Sequence, residues 1–350
     1  MSRTNDISSR STQRPWIELY RPNTLDDIIL QPMERKFLER IREDAPKVSD
    51  SDTAHVSRNM PGLIICGPPG TGKTTTLICL AMHALGSHYE DGLIELNSSN
   101  DRGITAIESL MVFCKKSSTY VNQSGKTCTF QKIIIFDEAD RITDKAQMAI
   151  ADLMNKYPNV AFTFTCNDST LIVADIQSKC SILRYNQIER KVMAERLITI
   201  CNKHGAKWSQ KGIDEAVMDA NGDMRKAINI AQSVWSGFGE ITPTNIRKLH
   251  PRPSSDTINI IFKYCKKGQL NQALEILHLM QSEGSSSQDI LMSMQNFLNV
   301  DQEFEPIFRM RCIGALGKGM YASSTFQTSL QLDACIASIC SPVLEKKNKA

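Results

Sequence analysis

Three features of the sequence predict a parallel α/β sheet flanked by helices, followed by helical domains. Short apolar runs of strand character, Leu63–Cys66, Ile133–Phe136 and Ala161–Cys166, are separated by helical stretches between about 61 and 185. The first run leads directly into a glycine-rich turn, Gly67–Thr74, and then into the apolar-spaced stretch TTTLICLAMHAL, so strand, turn and helix follow one another without a linker. From about 186 the strand pattern stops and only helical spacing remains.

Taken in order, residues 1–14 are polar and predict a disordered tail, with no apolar segment of a signal peptide. The Ser/Asp-rich stretch 42–60 predicts a surface loop, and the polar, Gly125-containing stretch Ser117–Gln131 predicts a second loop ahead of the strand at 133. The sheet domain is expected over 15–185, a small helical unit over 186–250 and a helical bundle over 251–350. In the bundle, Ile258/Ile261/Phe262/Cys265, Leu274/Leu277/Met280, Leu291/Met294/Leu298 and Leu332/Cys335/Ile336/Ile339 recur at helical spacing and read as core residues.

Composition narrows the function classes. The chain has 350 residues, 41% hydrophobic and 23% charged, and its apolar runs fall far short of the roughly 20 residues of a membrane span. Eleven dispersed cysteines without a CxxC pair argue for reduced thiols, as in the cytosol or nucleus, and against a disulfide framework or zinc site. A net charge of +3 is too small to signal nucleic-acid binding, so any such contact is a local patch.

The turn Gly67-Pro68-Pro69-Gly70-Thr71-Gly72-Lys73-Thr74 matches the Walker A pattern in full and has the strand-before, helix-after context it requires. Its backbone N–H groups and the following helix N-terminus suit phosphate oxygens, with Thr75 completing the contact. Lys73 is expected to reach the β/γ-phosphates and the Thr74 hydroxyl to bind Mg²⁺. Ile133–Phe136 ends in Asp137-Glu138-Ala139-Asp140, a Walker B strand: Asp137 for Mg²⁺ and Glu138 to polarise the attacking water. A GTPase needs NKxD, and Asn155-Lys156-Tyr157 is followed by Pro158 where the aspartate belongs, which favours ATP. Asn167, ending the next strand, is the candidate sensor for the water, and Arg225, near a helix start, is the candidate γ-phosphate contact from the lid.

Further segments carry a resemblance. Trp16–Pro22 resembles the WxxKYRP opening of clamp-loader small subunits, Glu95–Gly103 resembles their ELNASDDRG, and DEAD at 137–140, TCN at 165–167, SKC at 178–180 and GDMRKAIN at 222–229 follow in the family's order. The chain thus resembles the replication factor C small subunits from about Trp16 to the C-terminal bundle. The resemblance implies an AAA+ ATPase module, a helical lid and a helical collar. It also implies assembly with other replication factor C subunits into a nuclear hetero-pentamer with ATP between neighbours. That assembly opens the sliding clamp (PCNA) and loads it on primer–template DNA in replication and repair. It places Tyr20, Arg21 and Pro22 along the adenine.

Two departures stand out. The family's Ser-Arg-Cys is Ser178-Lys179-Cys180, so its trans-acting arginine finger is Lys179 here, and the Arg-Arg pair after Walker B is replaced by Ala151 and Asp152. The family's DNA contacts come from helix starts, which singles out Arg102 and Lys145; a solvated surface charge is the alternative for each. The stretch Ile107–Lys116 falls where the family touches the clamp, and its Leu110, Met111 and Phe113 suit either clamp insertion or a buried helix face. Competing classes are an ATP-binding scaffold that barely hydrolyses and another AAA+ DNA-processing ATPase. An unfoldase lacks its aromatic–Gly pore loop here, and a branch-migration motor its winged helix.

Overall fold

The computed structural model describes residues 14–44, 60–97, 104–121, 127–249, 253–300, 304–325 and 329–347. It divides into two compact units, residues 1–242 and 243–350, so the segment expected as a lid belongs mostly with the sheet domain.

The first unit is built on a five-stranded parallel sheet. Its strands are β1 (Leu63–Cys66), β2 (Leu93–Asn97), β5 (Lys132–Asp137), β6 (Val160–Cys166) and β7 (Ser181–Arg184), in the order β2-β5-β6-β1-β7. The central strands are apolar on both faces because helices cover both. Ile65, Ile133 and Ile135 pack with Leu77, Leu80 and Leu85 of the helix Lys73–Leu85 on one face. Their neighbours Ile64, Ile134 and Phe136 pack with Leu110, Ile150 and Leu153 on the other. Leu110 is 1% exposed, so it is a core residue and not a free wedge for a clamp.

Two expectations are corrected. Within the stretch 117–131, β3 (Thr119–Val121) and β4 (Thr127–Thr129) pair antiparallel, a pairing that suits their β-branched residues despite the polarity that suggested a loop. After 186, where no strand was expected, β8 (Lys207–Trp208) pairs in parallel with β9 (Glu240–Ile241). Three helices, Arg190–Lys203, Gln210–Ala220 and Met224–Phe238, pack around this short pair. Ser209 and Asp223 cap the last two, accepting from Gly212 N and Lys226 N at 3.2 and 3.0 Å.

The second unit is helical: Pro243–Leu249, Ser255–Lys267, Leu270–Ser282, Ser287–Val300, Pro306–Thr325 and Leu330–Lys347. Of the fourteen spaced residues named above, thirteen are buried in one cluster and Leu274 packs against it. Four buried cysteines, Cys265, Cys312, Cys335 and Cys340, share that core, and they and Cys66, Cys79, Cys114, Cys166, Cys180 and Cys201 are free thiols.

Candidate nucleotide site

The strand order places the C-terminal ends of β1, β6 and β5 side by side, and the site forms where they stop. The turn Gly67–Thr74 is anchored to the sheet by Gly67 N donating to Cys166 O at 3.2 Å. The next helix then begins at Lys73, which leaves its first N–H groups unpaired within the helix. Gly70 has φ +70°, and a Cβ there would fall 1.7 Å from Asp223 Oδ1. Gly70 O also accepts from Met224 N at 3.3 Å, so the turn and the start of the last lid helix touch through backbone.

Four expected residues meet in one network. Lys73 Nζ donates to Gly67 O at 2.7 Å, Pro68 O at 2.9 Å and Asn167 Oδ1 at 3.1 Å. Thr74 Oγ1 donates to Asp137 Oδ1 at 2.7 Å, and Thr165 Oγ1 makes a short bond to the same oxygen. Asn167 N donates to Asp140 Oδ2 at 3.1 Å, so the last acid of the Asp137–Asp140 run holds the backbone of Asn167. Burial pulls the Lys73 ammonium below the usual lysine range; Arg225 pushes the same way, against Cys166, Asp137 and Asp140. Burial also pushes the neighbouring Cys166 thiol up to about 12.

Glu138 has φ +54°, a conformation that costs a non-glycine residue energy and that concentrates at functional positions. Its amide donates to Thr165 Oγ1 at 3.2 Å, and its carboxylate pairs with Arg141 Nε at 3.3 Å.

A cavity of about 410 Å³ opens beside the turn. Tyr20, Arg21, Pro22, Gly70, Thr71, Gly72, Thr74, Thr75, Asp137 and Arg225 line it, all named from the sequence; Gly67, Pro68, Pro69 and Lys73 of the turn, and Asn167, are not part of the lining. The strap Trp16–Pro22 forms one wall because Trp16 is fastened to the lid. Trp16 stacks on His204 at 4.5 Å, lies 5.3 Å from Trp235, and its backbone N–H donates to Gln232 Oε1 at 2.9 Å. His204 also meets Tyr20 edge-on at 5.2 Å. Sequence reasoning missed the apolar wall of Ile17, Ile28, Ile29, Ile188, Met224 and Ile228, and it missed Arg196. Nothing in the sequence distinguishes those isoleucines from core residues.

Three expected residues lie elsewhere. Lys179 precedes β7, at the edge of the sheet away from the turn, and its Nζ donates to Ala151 O at 3.0 Å. Lys145 is exposed in the first turn of the helix Asp144–Lys156; Thr143 stands at its N-cap position but makes no side-chain bond. Arg102 lies outside the described residues.

The residues present fit a nucleotide and a divalent cation. The cavity couples an apolar wall to the glycine-rich turn and arginines, and Thr74 with Asp137 is a hard oxygen pair of the kind Mg²⁺ takes.

Residues 63–188 match the model of the ATPase family associated with various cellular activities (AAA). The chain is 33% identical to replication factor C subunit 4 of Schizosaccharomyces pombe over 94% of this chain and 92% of that one. It is 32% identical to a probable replication factor C subunit 2 of Dictyostelium discoideum (95% and 94%). It is 30% identical to the replication factor C small subunit of Archaeoglobus fulgidus (92% and 96%). Among solved structures, a RuvB variant from Thermotoga maritima matches with a TM-score of 0.52 at 15% identity, over 74% of this chain and 85% of that one, a likeness of fold.

Proposed function

Because this chain belongs to the replication factor C small-subunit family of AAA ATPases, we propose that it is an ATP-binding and hydrolysing subunit of a hetero-pentameric clamp loader. In this reading the loader works in the nucleus, where it opens the sliding clamp and sets it on primer–template DNA. Relatives numbered 2 and 4 match alike, and we assign the chain to the second-subunit type on its GDMRKAIN stretch. Among the described residues no helix is long and apolar enough to cross a membrane.

The observation that supports turnover is the junction of Lys73, Thr74, Asp137 and Asn167 at one end of a cavity roofed by the strap and lid. Lys73 and the turn's N–H groups bind the phosphates, and Arg225 contacts them from the lid. Thr74 and Asp137 would hold Mg²⁺, which when bound would supply charge neutralisation on the phosphate oxygens. Glu138 accepts a proton from the attacking water once its carboxylate leaves Arg141, and Asn167 orients that water. Tyr20, Arg21 and Pro22 lie along the base side.

A second reading, an ATP-binding scaffold, is favoured by one observation, the engagement of Glu138 by Arg141. The two separate in a reconstituted loader: Lys73→Ala removes ATP binding in both, whereas Glu138→Gln abolishes hydrolysis at this site only if the site turns over. Equal ATP affinity in the wild type and Lys73→Ala overturns the assignment of the site itself.

A further inference from the structure

Main-chain pairing between β5 and β6 ends at Phe136 and Phe164, just short of Glu138 and Asn167, the two residues assigned to the attacking water. Glu138, at φ +54°, turns the chain out of the strand, so the ladder stops there. Two bonds to side-chain oxygens take its place. Glu138 N donates to Thr165 Oγ1 at 3.2 Å, and Asn167 N donates back to Asp140 Oδ2 at 3.1 Å. Residues 138 and 140 are thereby stitched to 165 and 167, with the two-residue repeat of the strands themselves.

Asp140 stands on the short turn Ala139–Arg141, and Arg141 of the same turn pairs with the Glu138 carboxylate. One turn thus reaches both Glu138 and Asn167. Asn167 follows the last residue of β6, and the Asp140 carboxylate accepts its N–H where strand pairing has ended. From that anchored backbone the Asn167 side chain meets Lys73 Nζ at 3.1 Å. The other Asp140 oxygen, Oδ1, is buried without a hydrogen-bond partner among the described residues. An unpaired buried carboxylate oxygen costs stability, so its presence asks for a reason other than packing.

We infer that Asp140 is a positioning residue for hydrolysis: it fixes the backbone of Asn167, and with it the spacing between Asn167 and Glu138. It acts through Asn167 and not on the reacting atoms. Its charge also reaches Lys73, where it favours the ammonium form, so charge and hydrogen bond have to be separated. Asp140→Asn removes the charge and keeps an acceptor oxygen; Asp140→Ala removes both. The inference rests on the hydrolytic reading of the site, and Glu138→Gln tests that reading separately.

The experiment measures single-turnover ATP hydrolysis and equilibrium ATP binding in the reconstituted loader, with every other site disabled by a Walker B substitution. The variants are Asp140→Ala, Asp140→Asn, Asn167→Ala and the double Asp140→Ala with Asn167→Ala. Asp140→Ala is expected to slow hydrolysis by about 10- to 100-fold, the scale of a small misplacement, and to leave ATP affinity within about 3-fold. Asp140→Asn should recover most of the rate. The double variant should be no slower than Asn167→Ala alone, because nothing is then left to position. A wild-type rate in Asp140→Ala overturns the inference. So do equal losses in Asp140→Ala and Asp140→Asn, which would mark the charge as the cause. Losses that multiply in the double variant overturn it too, by showing a role apart from Asn167, and loss of ATP binding in Asp140→Ala does so by showing a structural one. Hydrolysis unchanged by Glu138→Gln would remove the hydrolytic reading, and the inference with it, whatever the Asp140 variants do.

Discussion

Lys73 Nζ and Asn167 Oδ1 lie 3.1 Å apart although 94 residues separate them in the chain. The bond joins Lys73, which opens the helix after β1's turn, to the residue just after β6, and Asp140 holds the same asparagine by its backbone N–H. Binding and water orientation thus share one polar network.

That network separates affinity from rate. Asn167→Ala should leave ATP affinity within about 3-fold, because the turn and Lys73 remain, and should slow hydrolysis by about 10²-fold, the scale of losing one oriented polar group. Equilibrium binding and single-turnover hydrolysis on the same preparation check it. A large loss of affinity with normal turnover would contradict the assigned role.

Glu138 and Arg141 make a local prediction. Their ion pair is half-exposed and therefore weak, so Arg141→Ala should barely alter stability. It should raise unstimulated ATP hydrolysis, by about 2- to 5-fold on the ~0.5–1 kcal/mol of such a pair, by freeing the carboxylate. Steady-state phosphate release with and without DNA and clamp measures it; a rate that falls would place Arg141 on the catalytic side.

Lys179 concerns the neighbour's site. Lysine is a point charge without the fork that arginine brings to a phosphoryl transition state. An arginine finger in related P-loop enzymes is worth ~10³–10⁵ in rate, and Lys179 should retain only part of that. Lys179→Arg should therefore speed hydrolysis at the site opposite, read with every other site disabled by a Walker B substitution. An unchanged rate would mean either that lysine suffices or that Lys179 does not face a phosphate, as its bond to Ala151 O allows, and either overturns the expectation.

Lys145 is the one expected DNA contact among the described residues, and it stands exposed at a helix start. Lys145→Ala in the assembled loader should weaken DNA binding uniformly across sequences and reduce the salt slope by about one unit. A slope identical to wild type would remove it from the contact surface.

His204 predicts a pH dependence. Burial pulls its pKa below the ordinary histidine value of about 6.5, and its Nε2 is buried without a partner. The unfolded chain then binds a proton more readily than the folded one, so stability rises with pH. The contribution is present above about 6.5 and lost as pH falls through that value toward the lower folded pKa. His204→Leu should melt with a shallower dependence between pH 8 and 5 than wild type, followed by tryptophan fluorescence. Parallel curves would show that the imidazole does not titrate across this range.

How much was legible follows from how local each signal is. Gly67–Thr74 and Ile133–Asp137 could be found because strand, turn and functional residue are contiguous. The edge strands β2 and β7 were harder: they are short and partly exposed, so their apolar pattern is broken. The helix Pro306–Thr325 escaped notice because Gly314, Gly317 and Gly319 interrupt its spacing. Arg196 and the isoleucine wall were invisible for another reason: a cavity is assembled from residues more than 200 positions apart, each of which looks ordinary alone.

Gly70 has no side chain, and it is where the phosphate turn meets the lid. Substitution there adds bulk against Asp223, while truncating any surrounding side chain leaves the Gly70 O to Met224 N bond in place. An alanine scan would therefore chart the chemistry of this pocket and pass over this joint, which is made of main-chain atoms that mutagenesis of side chains never removes. Amide exchange at Met224, followed with and without nucleotide, reports on the joint directly.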